Sequence, residues 1–180
     1  VFARFWRPDW QRYRDIWRLG PPIELTLIAE SGLFGACQLL MGWIGTLELA
    51  AHAIAVQVAS AAFMVPLGIG QAAQVRVGQR FGARDLAGVR RAGWAGTVLA
   101  SLATGGTALA MWFAPETLVG LFLDPAAPQN VGVVSLAVSF LAVAAAFQLV
   151  DGVQVAMVSS LRGLSDTSWP MVIAVASYWA

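Results

Sequence analysis

Lysine is absent from this chain, and its eleven basic residues are all arginine. Charge of either sign is scarce: 12% of the 180 residues are charged, against about a quarter in soluble globular domains. A single cysteine, Cys37, excludes an intrachain disulfide, and a single histidine, His52, leaves no Cys/His metal set. There is no glycine-rich phosphate loop and no nucleophile set beside a base, so neither an enzyme nor a cofactor is expected. The arginines flank apolar blocks instead of forming one patch, which argues against a nucleic-acid partner. An all-arginine basic set fits a GC-rich genome and a bacterial source.

What is present is apolar sequence in long blocks, 58% of the chain in all. Blocks of this length point to spans through a bilayer, each needing ~20 residues. Residues 1–21 read as a cytoplasmic interfacial linker. In it Trp6, Trp10, Tyr13 and Trp17 share one helix face beside Arg7, Arg14 and Arg18. Pro8-Asp9 is the expected helix start and Gly20-Pro21-Pro22 the expected stop. Spans are expected at 22–43, 49–75, 92–113 and 131–160, with a fifth begun at 168–180. Pro66 predicts a kink in the second. Thr97, Ser101, Thr104 and Ala108 make a small-residue stripe for close packing in the third. The fold class is therefore an all-α membrane protein, a polytopic helical bundle of four complete transmembrane helices plus the start of a fifth. The opening Val1 and the short last run lead us to expect that both ends continue in a longer protein.

The arginines test this topology. Five fall in the first segment, five between Arg76 and Arg91, and one at Arg162. If the spans alternate, all lie on one side, and the positive-inside rule makes that side cytoplasmic.

Two carboxylates interrupt the apolar spans: Glu30, 12 residues after Arg18, and Asp151, 11 residues before Arg162. At ~1.5 Å per residue both sit roughly 15 Å from the cytoplasmic boundary, near mid-membrane. An ionised side chain there costs several kcal/mol. Two acids in one low-dielectric site favour a shared proton, or a monovalent cation such as Na⁺ between their oxygens. The structural alternative is an interhelical hydrogen bond between protonated acids. Gln148, Asp151 and Gln154 repeat every third residue and suggest a polar stripe lining a cavity. Phe147 offers that cavity an aromatic wall, and Gln57 and Met64 share a face of the second span with Ser60 and Gln71. Glu24 reads as a helix-end residue, and His52 as a helix-end histidine on the outer side.

Several runs in this chain resemble the multidrug and toxic compound extrusion (MATE) family. They are Glu30-Ser31-Gly32-Leu33-Phe34, Ala50-Ala51-His52, Pro66-Leu67-Gly68-Ile69-Gly70-Gln71-Ala72, Arg76-Val77-Gly78-Gln79 and Gly82-Ala83-Arg84-Asp85. Asp151-Gly152-Val153-Gln154 and Ser160-Leu161-Arg162-Gly163 complete the set. Their order and spacing hold over nearly the whole chain. The resemblance implies one lobe, the second, of a two-lobed transporter in the bacterial inner membrane. It also implies an antiporter that expels drugs and organic cations in exchange for Na⁺ or H⁺, with the missing N-terminal lobe of the same chain as its partner. By motif, Glu30 and Asp151 become the cation-coupling pair. Some sodium-coupled members have Tyr one turn before the Asp, where this chain has Phe147, which leaves the coupling ion open. The alternatives are a lipid-linked precursor flippase, which would want basic residues within its cavity, and a non-transport helical scaffold.

Overall fold

The computed structural model describes residues 10–179. Trp6, Arg7 and the expected helix start at Pro8-Asp9 lie outside them. Among the described residues there are helices and turns only: α1 (Trp10–Ile44), α2 (Thr46–Gly82), α3 (Leu86–Phe113), the short α4 (Pro115–Val119), a 3-10 turn (Pro128–Asn130), α5 (Val131–Gly163) and α6 (Ser168–Trp179). Four stretches, Ile16–Ile44, Thr46–Gly82, Leu86–Phe113 and Pro128–Gly163, are long and apolar enough to cross a membrane. The all-α polytopic architecture read from the sequence is the observed one.

Two expectations about boundaries fail, for physical reasons. The chain does not stop at Gly20-Pro21-Pro22, because α1 runs through both prolines as one helix of 35 residues. Each proline removes only one backbone donor, so the carbonyls of Trp17 and Arg18 lose their partners. Those carbonyls sit near the arginines, at the expected membrane surface, where water and headgroups can satisfy them. The expected basic loop at 76–91 is likewise mostly helix. Arg76 and Arg80 ride the last turns of α2, Arg90 and Arg91 the first turns of α3, and only Ala83, Arg84 and Asp85 turn. At ~1.5 Å per residue α2 exceeds the ~30 Å hydrocarbon core, so its arginine end projects into water without a loop.

Both arginine-side turns are built alike. After α2, Arg84 takes φ 58° and the Asp85 N–H donates to the Arg80 carbonyl at 3.0 Å. Following α5, Ser165 takes φ 63° and the Asp166 N–H donates to the Leu161 carbonyl at 3.1 Å. A left-handed residue followed by such a long-range bond ends a helix by satisfying its last carbonyls. The Asp85 carboxylate then accepts the Gly88 N–H at 2.8 Å and starts α3 as its cap. On the opposite side a single residue, Gly45, joins α1 to α2.

α2, α3 and α5 form a close three-helix bundle, while α1 leans on α6 and α2. The buried residues are mostly small: Ala51, Ala55, Val58 and Ala73 of α2, Ala100, Thr104 and Ala108 of α3, Ala137, Ala145 and Ala156 of α5. In lipid, helix association rests on close van der Waals contact, and small side chains permit it. The small-residue stripe of the third span takes part through Thr104 and Ala108. Thr97, Ser101 and Thr104 each turn the hydroxyl back onto the carbonyl four residues earlier. α3 and α5 touch most tightly at Gly152, where an added Cβ would meet the Thr104 side chain at under 3 Å. Gly105 has nothing within 4 Å of an added Cβ. We therefore expect Gly152→Leu to destabilise the full-length protein by about 1–3 kcal/mol through overpacking. Gly105→Ala should leave it within about 0.5 kcal/mol. Thermal unfolding of the two variants in detergent checks the contrast.

Candidate functional site

Glu30 sits near the middle of α1, Asp151 near the middle of α5, and both are half-buried. Their helices are not strongly packed together, since α1 makes its contacts chiefly with α6 and α2. Even so, Glu30 is close enough to feel the charges of Asp151 and of Arg162. Glu30 and Asp151 thus stand on two spanning helices, with Glu30 inside the electrostatic reach of Asp151. Arg162, in the last turn of α5, is half-buried too and lies within electrostatic reach of Glu30. Arg162 enters the sequence analysis as a topology marker and within the Ser160-Leu161-Arg162-Gly163 run, and its reach to Glu30 on another helix is not visible from either.

The polar stripe of α5 divides. Asp151 is half-buried and Gln154 exposed, whereas Gln148 is only 3% exposed. Gln148 belongs to the buried row Leu141, Ala145, Gln148, Gly152, Ala156, Ser159 that faces the bundle. Three residues on a helix span 300°, so Gln148 and Asp151 share a face only loosely, and the packed row claims Gln148. Its place as a lining residue of an open cavity is corrected accordingly. Phe147 is 66% exposed, and on α2 Met64 is 60% exposed, with Gln57, Ser60 and Gln71 exposed beside it. That α2 face is free of the bundle core throughout its length.

Gln148 has a further feature. Its Nε2 is buried with no hydrogen-bond partner. α2 and α5 run parallel, with contacts at Gly132 on Leu47 and at Gly70 on Val155 and Ser159. Interpolating between them sets Gln148 level with the Ala62–Phe63 turn of α2. Pro66, fully buried, lacks the N–H that would bond the Ala62 carbonyl. An unmatched donor on α5 and an unmatched acceptor on α2 therefore lie at one depth, beside the expected kink. Near the Gly45 end of the bundle His52 Nε2 is also buried without a partner, its ring edge-on to Phe140 at 6.2 Å. Among the described residues no group of three or more His, Cys, Asp or Glu could hold a metal ion.

The fold is that of a polytopic helical membrane protein with Glu30 on one spanning helix and Asp151 on another. The MatE family model matches residues 22–180, and the chain belongs to that family. It is 46% identical to "Probable multidrug resistance protein NorM" of Brucella suis biovar 1 (strain 1330), over 99% of this chain and 38% of the relative. A protein of the same name from Rhizobium meliloti (strain 1021) is 48% identical over the same shares. One from Pseudomonas aeruginosa is 44% identical over 96% of this chain and 36% of the relative. The chain thus spans less than two-fifths of the length of these curated relatives. No solved structure matches it. With bacterial relatives and four apolar helices of spanning length, it is part of a multi-pass bacterial membrane protein.

The orphaned Gln148 amide yields a stability test. A buried donor without a partner costs about 1–3 kcal/mol, so Gln148→Leu should leave the melting temperature of the full-length protein unchanged or raise it. A clear fall would show that the amide bonds the Ala62 carbonyl in the resting protein.

Proposed function

We propose that this chain is one lobe of a cation-coupled antiporter that moves organic cations and amphiphilic drugs out across the bacterial inner membrane. What supports the reading is that Glu30 and Asp151 interrupt two of the spanning helices and that Glu30 lies within electrostatic reach of Asp151. An acid pair in a low-dielectric site binds either a drug cation or a coupling ion, Na⁺ or H⁺, and not both at full strength. Competition for one negative site couples two opposite fluxes when the carrier reorients only with one of the two cations bound. Membership of the MatE family and the printed names of the relatives, multidrug resistance proteins, support the drug half of the proposal. Two exposed apolar groups, Phe147 one turn before Asp151 and Met64 on α2, offer flat and polarisable surface to an amphiphile.

The N-terminal lobe that would complete the substrate path belongs to the remaining length of the relatives. Alternating access then follows from rocking one lobe against the other around a site near the midplane. Arg162 acts in this scheme as an internal counter-charge, drawn toward Glu30 when neither drug nor ion is bound.

The proposal is tested with the full-length protein in proteoliposomes. Asp151→Asn removes the charge and keeps the shape, so drug-dependent ion movement is expected to fall to background while the protein still folds. Wild-type antiport from that variant would overturn the reading. A second variant addresses the ion: Phe147→Tyr adds a hydroxyl one turn before Asp151 and is expected to increase the Na⁺ dependence of efflux. Unchanged dependence would show that this position does not reach the ion.

A further inference from the structure

A groove of about 580 Å³ runs between α2 and α3 at the arginine-bearing end of the bundle. It includes neither Glu30 nor Asp151. Its composition changes along its length. The mouth holds Arg76, Arg80 and Arg91 with Asp85, and the floor below is Ile69, Ala72, Ala73, Ala95, Gly96 and Leu99. The floor exists because the two helices approach closely at Gly96, where an added Cβ would meet that of Ala73 at 2.5 Å. With so little side chain on either helix, a notch remains on the outer surface.

The charge at the mouth is not balanced. Arg80 pairs with Asp85 at 3.3 Å, and no acidic partner among the described residues meets Arg76 or Arg91, both exposed. From Arg76 down to Ile69, and from Arg91 down to Leu99, the apolar floor extends about 10–12 Å at ~1.5 Å per residue. That covers most of one leaflet of a ~30 Å hydrocarbon core. By the arginine distribution the leaflet is the cytoplasmic one, which carries the anionic lipids. A topology signal needs arginines near span ends but not a groove beneath them.

We propose that the α2–α3 groove is a binding site for one anionic phospholipid of the cytoplasmic leaflet. Its phosphate sits between the Arg76 and Arg91 guanidiniums, and an acyl chain lies along Ala72, Ala95 and Leu99. Guanidinium forks suit phosphate oxygens, and the polar-to-apolar order of the groove matches the order of groups in a lipid. Occupancy would tie α2, whose other faces carry Pro66 and the Met64 surface, to α3.

The test uses the full-length protein and native mass spectrometry, titrated with phosphatidylglycerol, phosphatidylcholine or glycerol phosphate. Phosphatidylglycerol is expected to remain bound to the wild type, and Arg76→Gln/Arg91→Gln to raise its Kd by about 30-fold. Arg76→Lys/Arg91→Lys keeps the topology signal and should lose less. Ala95→Trp fills the floor from an exposed position with the charge intact, and should weaken phosphatidylglycerol while sparing the fold, as checked by thermal unfolding. Equal binding of phosphatidylcholine, or an unchanged Kd in both the glutamine and tryptophan variants, would overturn the proposal. So would glycerol phosphate competing as well as the intact lipid, which would assign the site to a soluble phosphate. A wild type that takes up no phosphatidylglycerol would mean that the rest of the chain covers the groove, and would overturn it too.

Discussion

An ionised carboxylate in the middle of a bilayer is unstable unless something shares its charge, and that constraint organises the functional half of this structure. Two acids within spanning helices, Glu30 and Asp151, are carried on helices that do not pack tightly on each other. Both are half-buried, and Arg162 stands within range of Glu30. The penalty for leaving the pair bare falls when a cation enters, whether proton, sodium or drug. In the proposed antiporter this shared demand for one cation is what links the two fluxes.

The remainder of the bundle is the rigid counterpart. α2, α3 and α5 meet through Gly, Ala and Thr, with contacts such as Gly152 on Thr104 and Gly70 on Ser159 that allow no extra methyl group without a shift. In lipid this closeness replaces the hydrophobic driving force of a soluble core. Glu30 is carried outside this bundle, on α1, which contacts chiefly α6 and α2. Inside the bundle the Gln148 amide is left without a partner, and Pro66 leaves the Ala62 carbonyl without its helical donor at about the same level of α2.

Much of this was legible in the sequence because bilayer physics is coarse. Block length gave the four spanning helices, and the charge scarcity within them singled out Glu30 and Asp151. What the sequence reading missed followed from local competition. The pair Pro21-Pro22 looked like a stop, but a helix at a wet boundary tolerates two lost bonds. The arginines at 76–91 looked like a loop, but long helices carry their charged ends out of the membrane. Gln148 looked like a cavity residue on spacing alone, and only the packed row from Leu141 to Ser159 reveals which way it faces. The groove beneath Arg76 and Arg91 needed the antiparallel pairing of α2 with α3, and no one-dimensional pattern contains it.

The central claim is that drug and coupling ion compete at Glu30 and Asp151. Infrared difference spectroscopy of the full-length protein, recorded on adding an organic-cation drug at fixed pH and fixed sodium, tests it most directly. The account predicts a change in the carboxyl bands that disappears when Glu30→Gln and Asp151→Asn are combined. Carboxyl bands that stay the same with and without bound drug would contradict it.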